Sequence, residues 1–105
     1  MLNNKIIMSK IEKIIESHDI VLFMKGTKEQ PRCGFSDIVI KILQIFSVDY
    51  YCVNVLDDLE MRQAIKIFTD WPTIPQLYIK QEFIGGSDII KELYENGELK
   101  KKLNV

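Results

Sequence analysis

The chain has 105 residues, of which 47% are apolar, and 14 basic against 15 acidic side chains give a formal net charge of −1. This length predicts one domain over residues 1–105, with enough apolar residues for a core without disulfides or a structural metal. The charge balance argues against a nucleic-acid binder, and no apolar run approaches the ~20 residues of a membrane span. The polar N-terminus does not resemble a secretory signal, and two cysteines do not make an extracellular disulfide scaffold. We therefore expect a cytoplasmic protein that binds neither nucleic acid nor membrane.

The first half of the chain alternates between helix and strand patterns. Isoleucines at helical spacing mark the first segment, continuous apolar runs mark the strands, and glycine and proline separate the elements. The elements predicted here are a helix over 4–17, a strand over 20–25, a helix from 33 to about 47 and a strand over 50–55. Strand, helix and strand in this order predict a parallel pair of strands.

The second half opens with DDLEMRQAIKIF, where Asp57 and Asp58 stand near the N-cap of a predicted helix. After the interruption WPTIP, the pattern predicts strands over 76–80 and 82–86, a helix over 87–97 capped at Ser87, and a short helix from 98. The two adjacent strands predict an antiparallel hairpin. The whole order predicts an α/β fold with a four-stranded mixed sheet flanked by helices. This is the layout of a thioredoxin-like domain, although the pattern alone leaves other α/β topologies open.

Cys33 stands between a loop and the start of the second predicted helix, within KGTKEQPRCGFS. Unpaired backbone N–H groups and the positive end of the helix dipole favour a thiolate at such a position. Lys25 and Arg32 can add positive charge. The alternative is a buried structural cysteine, which the small and polar neighbours Gly34 and Ser36 disfavour.

A redox protein of this size usually carries a second cysteine three positions after the first, and here that position is Ser36. The other cysteine, Cys52, lies in the predicted strand YYCVNV, where a small hydrophobic role is the favoured interpretation. The helix after Cys33 runs ~20 Å from the end of the sheet, and Cys52 lies only ~7 Å up the returning strand. Because this gap exceeds the reach of a disulfide, we expect Cys33 to find its thiol partner outside its own chain.

Three blocks, KGT…PRCGFS, WPTIPQLYI and GGSDI, resemble in order and spacing the monothiol glutaredoxins of the Cys-Gly-Phe-Ser type, over about 11–99. The resemblance implies a thioredoxin-like fold, glutathione as the bound thiol, and a [2Fe-2S] cluster held between two chains by Cys33 and glutathione. It also implies a homodimer when the cluster is bound, heterodimers with BolA-like proteins, and apo iron–sulfur proteins as recipients of the cluster.

The same resemblance assigns the glycine carboxylate of glutathione to Lys25 and Arg62, with ordinary solvated charges as the alternative for both. The backbone of Ile74 would pair with the cysteine of glutathione, and the bond before Pro75 is expected to be cis. The alternative is that the prolines of WPTIP merely bound a helix and an edge strand. Trp71 packs either beside the site or as an ordinary hydrophobic residue.

The γ-glutamyl end of glutathione is assigned to Ser87 and Asp88, where the start of a helix can hold a carboxylate and Asp88 can take the ammonium. A plain helix cap is the alternative, and capping and binding can coexist. Many members of the family carry a cysteine in place of Ser87, so a second thiol is missing at this position as well.

Three functions compete. The first is binding and delivery of the iron–sulfur cluster through Cys33. The second is reduction of protein–glutathione mixed disulfides, in which Cys33 attacks and free glutathione regenerates it; the resemblance implies at most weak activity of this kind. The third is an interaction module that needs only the fold, and Cys33→Ser distinguishes it because a pure module would keep its function.

Overall fold

The computed structural model describes residues 2–105, with side chains from residue 5 onward. The elements in this range are α1 (Leu2–Ser17), β1 (Ile20–Met24), α2 (Gly34–Ile45), β2 (Tyr51–Asn54), α3 (Leu59–Thr69), β3 (Gln76–Ile79), β4 (Glu82–Gly85), α4 (Ser87–Glu95) and α5 (Glu98–Leu103). Among the helices described, none combines the length and the apolar character needed to cross a bilayer.

The four strands form one sheet in the order β2-β1-β3-β4. β1 runs parallel to β2 and antiparallel to β3, and β3 and β4 form an antiparallel hairpin with a register shift between Leu77 and Tyr78. The predicted parallel pair, the hairpin and the mixed sheet are therefore confirmed.

Helices cover both faces of the sheet, and the side chains of β1 alternate between them. Leu22 and Met24 join a buried cluster with residues of α2, α4 and α5. Val21 and Phe23 point the other way, into a cluster with residues of α1 and α3. Because both faces are covered, β1 is buried along its whole length, which explains its continuous apolar sequence.

The predicted N-cap is confirmed for α3 and wrong for α4. Asp58 caps α3 as expected, because its carboxylate accepts a hydrogen bond from the Met61 N–H at 3.1 Å. The prediction that Ser87 caps α4 is wrong, because Gly86 is the N-cap residue and Ser87 is already helical. Gly86 has an extended backbone (φ −95°, ψ −167°) and no side chain, so α4 begins without a side-chain cap.

Candidate functional site

A second, tight hairpin over residues 25–32 joins β1 to α2 and brings Cys33 to the start of that helix. Its backbone closes through hydrogen bonds from the Arg32 N–H to the Lys25 C=O (2.9 Å) and from the Thr27 N–H to the Gln30 C=O (3.1 Å). Gly26 adopts a φ of +95°, which an L side chain rarely takes. A Cβ atom at Gly26 would collide with the Gln30 carbonyl oxygen and lie 2.6 Å from the Arg32 nitrogen. The turn therefore requires glycine.

Two side-chain anchors hold this hairpin against β2. Asn54 Oδ1 accepts hydrogen bonds from the N–H groups of Gly26 (2.9 Å) and Leu56 (3.0 Å). Lys28 Nζ donates to the Tyr50 carbonyl oxygen and lies 4.0 Å from the centroid of the Tyr50 ring, in cation–π geometry. These contacts fix the base and the tip of the hairpin.

Cys33 is the N-cap residue of α2, with an extended backbone (φ −151°, ψ 134°). Partial burial by itself would raise the pKa of its thiol, but the backbone N–H groups of Ser36 and Phe35, the charge of Lys25 and the Ser36 hydroxyl act in the opposite direction. The resulting pKa of Cys33 lies below its ordinary value. In general a cysteine attacks disulfides and binds metals as the thiolate and not as the thiol, so the site favours the reactive form of this side chain.

Ser36 takes the place of the second cysteine of a dithiol protein. Its side chain is fully buried, and its Oγ accepts a hydrogen bond from the Lys25 N–H at 3.2 Å. The hydroxyl still has its own proton to donate, and a hydrogen bond to Cys33 helps to lower the pKa of the thiol. Ser36 therefore stabilises the thiolate of Cys33 instead of supplying a second thiol beside it.

Beside Cys33 lies a cleft of about 380 Å³. Its lining brings together five of the residues that the sequence singled out: Lys25, Cys33, Ile74, Ser87 and Asp88. Lys66 of α3 and Asp88 of α4 reach it from opposite faces of the sheet, and Lys25, the residue after β1, also lines it. The cleft thus presents cations, an anion and a thiol to one small volume.

Arg62 is the predicted site residue that does not line this cleft. It is half-buried on α3, and Lys66, one helical turn later, lines the cleft in its place. Residues four apart share a helix face, so this spacing is the signal that would have identified Lys66. Phe35 and Thr73 also line the cleft, and neither was predicted as a site residue. Phe35 lies within the Cys-Gly-Phe-Ser motif itself.

The 71–75 segment forms one wall of the cleft through Pro72, Thr73, Ile74 and Pro75. The Ile74–Pro75 bond is cis, as expected. Ile74 and Pro75 are buried against the sheet. In the part of the chain that the structure describes, neither the N–H nor the C=O of Ile74 makes a hydrogen bond within the protein. This backbone is therefore available to an extended ligand.

The start of α4 forms the neighbouring part of the lining. Ser87 is half-buried and Asp88 is exposed in the first turn, where helix N–H groups have no partner within the helix. The backbone runs close to the cleft wall, since a Cβ atom at Gly86 would lie 3.3 Å from the Pro75 carbonyl oxygen. Helix N-terminal N–H groups and a carboxylate therefore stand side by side at this end.

Cys52 lies outside the cleft. It is half-buried on β2 and packs on the apolar cluster beneath α2. Burial raises the pKa of its thiol, with Lys28 opposing and Glu29 adding to that effect. Both cysteines are free, so the expectation that Cys33 has no disulfide partner in Cys52 is confirmed.

A four-stranded mixed sheet with a low-pKa thiol at the start of α2, followed by a cis-proline segment, defines a thioredoxin-like protein with one cysteine in the cleft lining. Comparison with known proteins narrows the class. The glutaredoxin family profile matches residues 20–84. The probable monothiol glutaredoxin 2 of Rickettsia typhi is 55% identical over 93 residues, which cover 89% of this chain and 84% of the relative.

Solved structures of glutaredoxins are also similar to this chain. Poplar GrxS14, in its reduced apo form, superposes with a TM-score of 0.81 at 46% identity, covering 91% of this chain and 88% of that one. A buckwheat glutaredoxin–glutathione complex has a TM-score of 0.86 with 96% and 90% coverage, and at 23% identity it shows the likeness of fold alone. The chain therefore belongs to the glutaredoxin family, among its monothiol members.

Proposed function

We propose that this protein binds glutathione in the cleft beside Cys33 and, as a dimer, carries a [2Fe-2S] cluster to apo iron–sulfur proteins in the cytoplasm. The observation that carries the proposal is a low-pKa thiol, without a second cysteine in the cleft lining, next to a small cleft of mixed charge. In this proposal residues 1–105 act as one glutaredoxin domain.

Glutathione suits the chemistry of this cleft. It is a short peptide with a carboxylate at one end and an amino acid group at the other. Lys25 would bind the glycine carboxylate, with Arg62 or Lys66 as the second cation from α3. The free Ile74 backbone would pair with the central cysteine. The start of α4 would hold the γ-glutamyl group, with backbone N–H groups at Ser87 toward its carboxylate and Asp88 toward its ammonium.

Calorimetric titration with reduced glutathione tests this binding mode. Lys25→Gln removes the cation whose charge helps to lower the pKa of Cys33, and we expect the dissociation constant to rise about tenfold, as for the loss of one charged hydrogen bond. Lys10→Gln is the matched control, because Lys10 is an exposed residue of α1 that does not line the cleft. Equal affinities in the two variants would contradict the assignment of Lys25.

The cluster would be cargo that needs sulfur ligands from more than one molecule. A [2Fe-2S] cluster takes four such ligands, and this cleft offers one protein thiolate. Two copies of Cys33 and two glutathione thiolates complete the set, which makes the loaded protein a homodimer. Phe35 and Ile38 of α2, 58% and 40% exposed, give an apolar surface for the second chain or a BolA-like partner to cover.

Anaerobic reconstitution with iron, sulfide and glutathione tests the cluster proposal. We expect sulfide-to-iron charge-transfer bands in the visible spectrum that require glutathione and disappear in Cys33→Ser. Cys52→Ser is the control and should keep the bands, because Cys52 lies outside the cleft. Bands that persist in Cys33→Ser, or that do not depend on glutathione, would contradict the proposal.

The lowered pKa of Cys33 supports a second candidate, thiol exchange. The Cys33 thiolate would attack the glutathione sulfur of a protein–glutathione disulfide and release the protein thiolate. Free glutathione, as thiolate, would then attack the glutathione sulfur on Cys33, releasing the Cys33 thiolate and glutathione disulfide. Turnover of a glutathionylated protein by a form that takes up no cluster would favour this candidate over the carrier. Full function in Cys33→Ser would instead indicate a pure interaction module.

A further inference from the structure

Gln76 is fully buried at the start of β3, yet its hydrogen bonds leave the strand. Its Nε2 amide donates to the carbonyl oxygens of Trp71 (3.2 Å) and Thr73 (3.1 Å). Both acceptors lie in the 71–75 segment, which forms a wall of the cleft. One buried side chain therefore fixes two carbonyl groups of that wall.

Apolar packing alone does not explain an amide at this position. Within the described residues, the buried side-chain atoms that lack a hydrogen-bond partner are Gln76 Oε1 and Trp71 Nε1. An unpartnered buried polar atom is destabilising, and an apolar side chain of the same size would avoid that cost. The two donors of Gln76, in contrast, both act on the wall of the cleft.

The contact to Thr73 has a directional consequence. The Thr73–Ile74 peptide is trans, and in a trans peptide the C=O and the following N–H point in opposite directions. Because the Thr73 C=O faces the buried amide of Gln76, the Ile74 N–H faces the other side of the segment. That side is the cleft, which Thr73 and Ile74 line and Gln76 does not.

We propose that Gln76 is a positioning residue, whose buried amide holds the 71–75 segment so that the Ile74 N–H faces the bound ligand. Gly86 confines the segment from another direction, since a Cβ atom there would lie 3.4 Å from Trp71 Nε1. The identity of the ligand as glutathione rests on the proposed function. The clamp itself, meaning the two hydrogen bonds from Gln76 to Trp71 and Thr73, does not.

The single tryptophan of the chain, Trp71, reports on this clamp directly. Gln76→Met keeps the length of the side chain and removes both donors. We expect a folded variant in which acrylamide quenches Trp71 about twofold more efficiently and the Ile74 amide exchanges faster with solvent. Ile79→Ala is the matched control, because Ile79 is a buried residue of the same strand. It belongs to the apolar cluster with α2, α4 and α5, whereas Ile74 belongs to the cluster with α1 and α3 on the other face of the sheet. Ile79→Ala should lower stability without changing Trp71 quenching.

Ligand affinity supplies the second measurement. We expect Gln76→Met to raise the dissociation constant for reduced glutathione about tenfold, and Ile79→Ala to leave it unchanged in the folded protein. If Gln76→Met loses stability but keeps wild-type quenching and exchange, Gln76 is only a core residue and the proposal fails. A loosened segment with unchanged glutathione affinity would overturn the positioning role as well.

Wild-type protein provides a test that does not depend on the variant folding. In NMR spectra, the Gln76 side-chain amide protons should exchange slowly and show couplings across hydrogen bonds to the carbonyl carbons of Trp71 and Thr73. Rapid exchange of both protons would overturn the clamp. If wild-type protein binds no glutathione while these signals are present, the proposed function fails and the clamp stands.

Discussion

Gly26→Ala tests the hairpin that carries Cys33, and the chain supplies two other glycines as matched controls. Gly26 combines a φ of +95° with backbone atoms where a Cβ would sit. Gly97 has a φ of +84° but open space around that position. Gly34, the first residue of α2, also has open space and lies outside the left-handed region. The three alanine variants therefore separate the effect of the backbone conformation on stability from the effect of the steric collision.

The structure gives an expected size for each change. Gly34→Ala should leave the free energy of unfolding unchanged or raise it by up to ~1 kcal/mol, because alanine favours a helix. Gly97→Ala should lower it by roughly 1–2 kcal/mol through the left-handed backbone alone. Gly26→Ala adds a collision that opens the hairpin and breaks its two backbone hydrogen bonds, each worth about 1 kcal/mol. The expected loss is about 3–4 kcal/mol out of the ~5–15 kcal/mol typical of a domain.

Urea denaturation followed by circular dichroism measures the three variants on one scale. We expect Gly26→Ala to be the least stable of the three. We also expect iodoacetamide to alkylate its Cys33 with an altered pH profile under conditions in which the variant is folded. If Gly26→Ala loses no more stability than Gly97→Ala, the backbone contacts around Gly26 do not determine the conformation of the hairpin.

Further predictions concern thiol reactivity and a helix cap. Because the pKa of Cys33 is lowered and that of Cys52 is raised, iodoacetamide should modify Cys33 first at neutral pH, as peptide mapping would show; equal rates would contradict this. Ser36→Ala should move the alkylation profile of Cys33 to higher pH, since it removes the hydroxyl that stabilises the thiolate. Because the pKa of Cys33 is lowered in the folded state, ionisation of this thiol stabilises the folded state at pH values above the ordinary thiol pKa. This contribution disappears as the pH falls through the pKa of Cys33 in the folded state. Asp58→Ala should lower the free energy of unfolding by about 1 kcal/mol, whereas exposed Asp57→Ala should change it by less than about 0.5 kcal/mol; equal losses would contradict the cap.

The sheet could be predicted from sequence because its strands are short apolar runs separated by glycine and proline, and because their order fixes which pair is parallel. Local motifs identified five residues of the cleft lining, but Lys66 was missed because a lysine on a helix looks like any solvated charge until the helix is docked. Gln76 gave no signal, since a polar residue beginning a strand is indistinguishable from an exposed one. The cap at Ser87 was misassigned because the N-cap depends on backbone angles at Gly86, which residue type alone does not determine.

The native mass of the protein after anaerobic reconstitution with iron, sulfide and glutathione shows whether Cys33 and glutathione together hold the cluster. We expect a species of two chains, two glutathiones and one [2Fe-2S] cluster, with Cys33→Ser remaining a monomer without cluster under the same conditions. A cluster on a single chain, a loaded dimer without glutathione, or a cluster retained by Cys33→Ser would contradict the proposal that Cys33 and glutathione hold the cargo.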